Sequence, residues 1–357
     1  MNLFFSLFRK INRYISPEFS HQIAVFLLSK NLLYFNKEKD DPRLATSIAG
    51  MNLSNPIGLA AGFDKNGVAI RSVIRIGFGF VEIGSVTPLP QYGNIKPRLY
   101  RLIEDNAVIN RMGFNNLGYE KILRKFKKNN NFDVPLGINL GANKNSKNKI
   151  DDYVLGVNKF AKQTDYITIN ISSPNTPGLR SFHELKSLSL LLNDIILNRN
   201  TVCEGIKLTP IFLKISPDLD AREFEELINL ALDKDIQGLI ISNTTIKRPA
   251  SLKSKFKSQE GGLSGKPLMQ LSTKLLAEAY KLSKGKLCLI GTGGISSGQD
   301  AYTKICAGAS AVQLYTAFSF FGPELIKKIK SDIIVAMDND GIYSIIEAVG
   351  SKVDDYL

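Results

Sequence analysis

Gly238-Leu-Ile-Ile-Ser-Asn-Thr244, Leu287-Cys-Leu-Ile-Gly-Thr-Gly-Gly294 and Ala311-Val-Gln-Leu-Tyr-Thr-Ala317 share one pattern. Each is a short, β-rich apolar run that closes on Gly, Asn, Ser or Thr. A run of this kind reads as a strand buried on both faces, and such strands belong to parallel sheets. The same pattern occurs upstream at Ile57–Gly62, Phe80–Val86, Leu136–Gly141, Tyr166–Ser173 and Phe212–Ser216. Helical periodicity fills most of the gaps, as from Glu223 to Leu232 and from Leu268 to Leu282. Eight strand–helix repeats predict an α/β chain closed into a (β/α)8 TIM barrel. A doubly wound open sheet is the alternative.

The composition is that of a globular chain, with 357 residues, 44% hydrophobic and 22% charged. Lys and Arg outnumber Asp and Glu by 46 to 33, a formal charge of +13. That excess suggests a polyanionic partner, either nucleic acid or an anionic membrane surface. Aromatics are not interleaved with its clusters (Lys121 to Lys128, Lys144 to Lys149, Lys247 to Lys257) in the way a base-stacking surface needs, and there is no zinc-finger or RNA-recognition signature. They read as solvated surface, and no nucleic-acid partner is expected. No apolar run is long enough to span a bilayer. Cys203, Cys288 and Cys306 are odd in number and far apart, which excludes a disulfide framework and a Cys-x-x-Cys metal motif. With His21 and His183 as its two histidines, the chain is a poor candidate for a metal centre.

The first forty residues differ from the rest. Phe4, Leu7, Phe8, Ile11, Tyr14 and Ile15 recur at helical spacing, with Arg9, Lys10 and Arg13 between them. Ser16-Pro17 then opens a second helix, in which Ile23 to Leu28 is apolar all round. Two short helices with a basic rim predict a monotopic membrane patch over residues 1–41. The competing reading is a helical cap buried against the main domain, residues 42–357. The gap from Thr87 to Val134 is unusually long. Within it Arg98–Ile103 and Val108–Arg111 flank a turn, predicting an inserted hairpin near residues 97–112.

Polar residues gather at the strand ends, where barrels assemble their sites. Lys214 lies inside the apolar run Phe-Leu-Lys-Ile, which is costly unless an anion meets its ammonium; otherwise it is an edge lysine. Asn139, Asn170, Asn243 and, from the hairpin, Asn110 suggest a ring of amides around a planar heterocycle. Gly291-Thr-Gly-Gly294 and Tyr315-Thr316 end the last two strands, the usual phosphate site of such barrels. Gly261-Gly-Leu-Ser-Gly-Lys266 is not a P-loop, because Pro267 replaces the required Ser/Thr.

Five motifs then become specific. Ala61-Gly-Phe-Asp-Lys65, Asn110-Arg-Met-Gly-Phe-Asn-Asn116, Asn170-Ile-Ser-Ser-Pro-Asn-Thr-Pro-Gly178, Gly261-Gly-Leu-Ser-Gly265 and Gly291-Thr-Gly-Gly-Ile295 together resemble dihydroorotate dehydrogenase of the quinone-dependent, membrane-associated class 2 type. The resemblance runs to about residue 335. It implies an FMN-containing barrel that oxidises dihydroorotate to orotate, the fourth step of de novo pyrimidine synthesis, with a membrane quinone as final acceptor. It also implies one FMN per chain, a monomer, and peripheral attachment on the cytoplasmic side of the inner membrane in a bacterium. By resemblance Ser173 is the catalytic base, where class 1 relatives carry a cysteine, and Lys214 stabilises the reduced flavin. The FMN residues it implies are Ala61, Gly62, Phe63, Asp64, Lys65, Ser85, Asn139, Asn170, Lys214, Ser242, Gly265, Gly294, Tyr315 and Thr316. For the substrate they are Lys65, Asn110, Arg111, Met112, Gly113, Phe114, Asn170, Asn175, Asn243 and Thr244. His21 and Arg101 match polar residues of a quinone tunnel formed by the N-terminal helices. Two other readings fit less well. An FMN barrel acting on uridine in RNA lacks its active-site cysteine, and a bare membrane module leaves Lys214 and the asparagines unexplained.

Overall fold

A computed structural model describes residues 15–33, 35, 38–127, 132–172 and 184–357. Its strands, in chain order, are β1 (Thr46–Ile48), β2 (Met51–Leu53), β3 (Ile57–Leu59), β4 (Phe80–Val86), β5 (Leu99–Leu102), β6 (Ala107–Asn110), β7 (Leu136–Leu140), β8 (Tyr166–Asn170), β9 (Ile211–Lys214), β10 (Gly238–Ile241), β11 (Gly262–Gly265), β12 (Cys288–Thr292) and β13 (Ala311–Leu314). Eight of them close a parallel barrel in the order β10-β12-β13-β3-β4-β7-β8-β9, as the apolar runs predict. The open-sheet alternative is excluded. Most observed strands stop short of the runs, because their terminal polar residues bond locally instead of laddering. At the end of β8, Ser172 N–H donates to Asn170 Oδ1 at 3.3 Å.

The barrel is filled from below by aromatic rings that three glycines admit. Gly58, Gly137 and Gly238 stand in register opposite Phe80, Tyr166 and Phe212 on the neighbouring strands. A Cβ on Gly58 would lie 2.3 Å from the Phe80 ring, one on Gly137 2.1 Å from Tyr166, and one on Gly238 2.6 Å from Phe212. Each ring thus occupies the space that a side chain on the adjacent strand would need. Ile240, Ile290 and Ala311 complete this floor, and Ile48 and Leu53 of the β1–β2 hairpin plug it from outside. Sequence reading missed that hairpin, whose strands are three residues each.

At the other end, β5 and β6 form the predicted hairpin, with pairing limited to Leu99–Leu102 and Ala107–Asn110. β11 adds a third antiparallel strand to it, although its glycines favour a loop. Tyr100, Leu102, Ala107, Ile109, Leu252 and Leu263 give this lid a small core of its own.

Helix Pro17–Ser29 lies beside the lid. Ser16 Oγ caps it by accepting from Phe19 N–H at 3.3 Å. The apolar stretch proves two-sided: Leu28 is buried, whereas Phe26 is exposed. The Arg98 guanidinium pins this helix to β5 through a buried ion pair with Glu18 at 2.7 Å. Ser72 Oγ secures the far end by donating to Leu28 O at 2.7 Å. The first predicted helix lies outside the described residues. Among the described residues, no helix is long and apolar enough to cross a membrane.

The floor predicts its own test. Gly137→Ala places a methyl group on the Tyr166 ring, and overpacking of this kind costs about 1–3 kcal/mol. Urea unfolding should show that loss; a wild-type midpoint would mean the ring is free to move aside.

Candidate active site

The strand ends are joined by a continuous hydrogen-bond chain. Asn139 Nδ2 donates to Glu82 Oε1 at 2.8 Å, and Ser85 Oγ donates to Asn139 Oδ1. Asn170 Nδ2 donates to Ser85 Oγ at 3.0 Å. Ser172 Oγ lies 3.1 Å from Asn170 Oδ1 and accepts from Asn243 Nδ2 at 2.9 Å. Three of the four asparagines therefore meet in one chain; Asn170 and Asn243 also face the cavity, whereas Asn139 lies beneath it. Asn110 stands across from them on β6, where its Nδ2 donates to Gly262 O at 3.4 Å.

Lys214 is buried at the end of β9, so the edge-lysine reading falls. Among the described residues no ion pair engages it, and its side chain lines a cavity of about 290 Å3. Burial pushes its ammonium below the ordinary lysine range, and the Glu82 carboxylate opposes that shift. Glu82 itself is fully buried. It accepts from Tyr166 OH at 3.2 Å, Thr168 Oγ1 at 3.1 Å and Gln313 Nε2 at 2.9 Å, besides Asn139. The other amide atom of Gln313, Oε1, is buried and finds no partner in the described structure.

Lys65 follows β3 and donates to Gly62 O at 2.7 Å. Burial lowers it to about 8, against the pull of Glu18. On the opposite wall, Gly294 has φ of +86° and lies against the N-terminus of helix Met269–Ser283. A Cβ there would be 2.6 Å from Met269 N, so only glycine lets the loop close on that helix end.

The cavity has a second, apolar end. Pro17, Ala24 and Leu28 of the N-terminal helix face Phe63, Phe318 and Phe321 across it. His21 enters here, with ring centroids 5.1 Å from Phe63 and 6.0 Å from Tyr315. Burial, with the Lys65 charge behind it, lowers His21 to about 3 and keeps the imidazole neutral. Arg101 on β5 lines the same end, its guanidinium also pushed down by burial.

A profile of the dihydroorotate dehydrogenase family matches residues 43–337. The chain belongs to this family. It is 46% identical over 337 residues to "Dihydroorotate dehydrogenase (quinone)" of Rhodospirillum rubrum, covering 94% of this chain and 91% of that protein. It is 43% identical over 347 residues to the mitochondrial "Dihydroorotate dehydrogenase (quinone)" of Mus musculus, covering 95% and 88%. The crystal structure of an Eimeria tenella DHODH in complex with ferulenol superposes with a TM-score of 0.90 at 38% identity, over 94% of this chain and 95% of that one. Like its relatives, the chain is an oxidoreductase.

Against the family's motifs, the structure sorts the expected residues. Ala61, Gly62, Phe63, Lys65, Ser85, Asn170, Lys214, Ser242, Gly265, Gly294, Tyr315 and Thr316 line the cavity, as do Asn110, Met112, Gly113, Phe114, Asn243, Thr244, His21 and Arg101. Asp64 does not: its carboxylate is spent on the backbone N–H groups of Asn66, Val68 and Ala69. Arg111 does not either. Its guanidinium lies 4.8 Å from the centre of the Tyr100 ring and donates to Pro97 O and Glu260 O, closing the lid. Asn139 works from beneath, through Ser85 and Asn170. Ser173 and Asn175 lie outside the described residues. Sequence reading missed Glu82, Gln313 and the Glu18–Arg98 pair, and it placed Ser172 at a strand end without a role. The first two carry a visible signal, a polar side chain within an apolar run.

His21 gives a pH-dependent test. Its folded-state value is depressed below the unfolded one near 6.5, so its contribution to stability is present above that pH. It is lost as pH falls toward 3. Between pH 7 and 5 the wild type should lose about 1–2 kcal/mol more unfolding free energy than His21→Gln. Parallel losses in urea titrations would place His21 in water.

Proposed function

We propose that this chain oxidises dihydroorotate to orotate, with FMN as internal acceptor and a membrane quinone as final acceptor, as a step of pyrimidine synthesis. One observation carries the reading: a single cavity joins a polar, cationic end at the strand termini to an apolar end under helix Pro17–Ser29. A small anionic heterocycle suits the first end and a lipophilic quinone the second. In this reading residues 1–41 form the membrane-facing entrance and residues 42–357 the catalytic barrel.

The donor set fits FMN. Lys214 offers an ammonium with no ion pair among the described residues, Gln313 Oε1 is a buried acceptor without a partner, and the Gly291–Gly294 loop borders a helix N-terminus. When bound, FMN supplies a two-electron acceptor able to couple substrate oxidation to a quinone.

The chain's own residues divide the remaining work. Oxidation removes a proton from C5 and a hydride from C6 of dihydroorotate. We assign the proton to Ser173, on the family motif; a hydroxyl is a weak base and must hand that proton onward. Lys65 meets the substrate carboxylate. The amides of Asn110, Asn170 and Asn243 orient the ring edges. Lys214 holds a fixed positive charge where negative charge accumulates on reduction. The lid of β5, β6 and β11 excludes water. His21 and Arg101 offer polar contacts to the quinone head.

Two outcomes test this. Ser173→Ala should retain a wild-type flavin spectrum yet lose about 10²–10⁴-fold in dihydroorotate turnover; full activity would refute the base. Removing residues 1–40 should abolish quinone reduction and vesicle binding while flavin stays bound. Unchanged quinone turnover would refute the entrance.

A further inference from the structure

Lys304 is a fully buried lysine for which the reaction above has no use. It projects from helix Gly298–Cys306 beneath the end of β12, where a Cβ on Gly291 would lie 3.1 Å from its Cδ. Its Nζ donates to Ser272 Oγ at 2.8 Å and to Thr273 Oγ1 at 3.0 Å. Both partners are neutral hydroxyls on helix Met269–Ser283. Asp300 on its own helix is the anion whose field reaches it, but that carboxylate accepts from Ser296 N–H and Oγ–H. Asp332, on the helix packed behind, lies against Gly298 and is paired with Lys328 at 2.9 Å. An ammonium buried without a carboxylate is costly, and an anion brought near it repays that cost.

The part of the cavity wall next to the partners of Lys304 is the glycine loop. Ser272 Oγ, which accepts from Lys304, lies 3.0 Å from Gly293 O, with Leu268 O at 2.8 Å and Met269 O at 3.2 Å as the other acceptors for its single proton. The Ser272 hydroxyl therefore sits in contact with both Nζ and the loop whose Gly294 closes on the N-terminus of helix Met269–Ser283. We propose that Lys304 is the buried counter-charge to the FMN phosphate, acting through this loop, and that it sets the preference for FMN over the dephosphorylated flavin, riboflavin. This rests on the flavin reading above. Burial holds Lys304 at about 7, so the charge is fully present only below that pH unless a phosphate raises it.

The test is equilibrium exchange of the purified holoenzyme with riboflavin, read as the ratio of the two flavins extracted from the protein. One unit of charge near a dianion at an effective dielectric of about 20 is worth roughly tenfold or more in affinity. Lys304→Met should lower the FMN:riboflavin ratio by about that factor. The wild-type ratio should itself fall roughly tenfold between pH 7 and pH 9, where the phosphate stays a dianion and groups near the flavin ring affect both ligands alike. In Lys304→Met the ratio should be low and flat with pH. An unchanged ratio in the variant, or a wild-type ratio flat with pH, overturns the role of Lys304 and leaves the flavin reading standing. A purified protein that carries no FMN overturns both. If Lys304→Met does not fold, the wild-type pH series decides alone.

Discussion

A carboxylate cut off from solvent sits at the centre of the barrel, and the site is built on it. Glu82 accepts four hydrogen bonds, from Asn139, Tyr166, Thr168 and Gln313. A buried carboxylate left short of donors is penalised heavily, so each of these groups is held in one orientation. Tyr166 belongs to the aromatic floor, and Asn139 belongs to the chain of amides above it. Glu82 therefore carries the rigidity of the floor into the site. Because Nδ2 of Asn139 must face Glu82, its Oδ1 must face Ser85 and Asn170. A flipped amide would set two acceptors against each other. The same logic turns Gln313 Oε1 away from Glu82 and leaves it without a partner.

The second constraint is how the cavity is covered. Arg98 ties Glu18 of the N-terminal helix to the lid, and also donates to Asn94 O at 2.9 Å in the loop that leads to β5. The helix, the loop and the lid thus share one buried guanidinium. Its consequence reaches the chemistry: with the helix in place His21 stays neutral, and Lys65 loses enough water to titrate near 8. A lysine so desolvated gains more from an anionic ligand than one in bulk water does, since the same attraction acts in a lower dielectric.

Much of this is legible in the amino-acid sequence. The eight apolar runs gave away the barrel, and Lys214, Asn170 and Asn243 stood out because each interrupts or ends such a run. Applied evenly, that rule also exposes Glu82 within Phe80–Val86 and Gln313 within Ala311–Ala317. What stayed hidden depends on register or on competition. The pairing of Gly137 with Tyr166 exists only once β7 and β8 are aligned. β11 becomes a strand because β6 offers it a free edge, although its glycines argue for a loop. Asp64 and Arg111 sit in family motifs, but a turn and a lid claim their polar atoms first. A motif fixes which residue is present, not which neighbour wins its hydrogen bonds.

The charge excess of the sequence is also better placed now. Of the residues before Asp41, six are Lys or Arg and three are Asp or Glu, so that segment supplies a minor share of +13. Charge on exposed helices is screened within about a Debye length. Lys65, Lys214 and Lys304 differ in kind, because burial pushes each below the ordinary lysine range. Each is costly to the empty protein, and each cost falls when an anion arrives. In the function proposed above, three such groups, on the loop after β3, at the end of β9 and beneath the glycine loop, would make the interior selective for anionic ligands in a way that the same three charges on the surface could not.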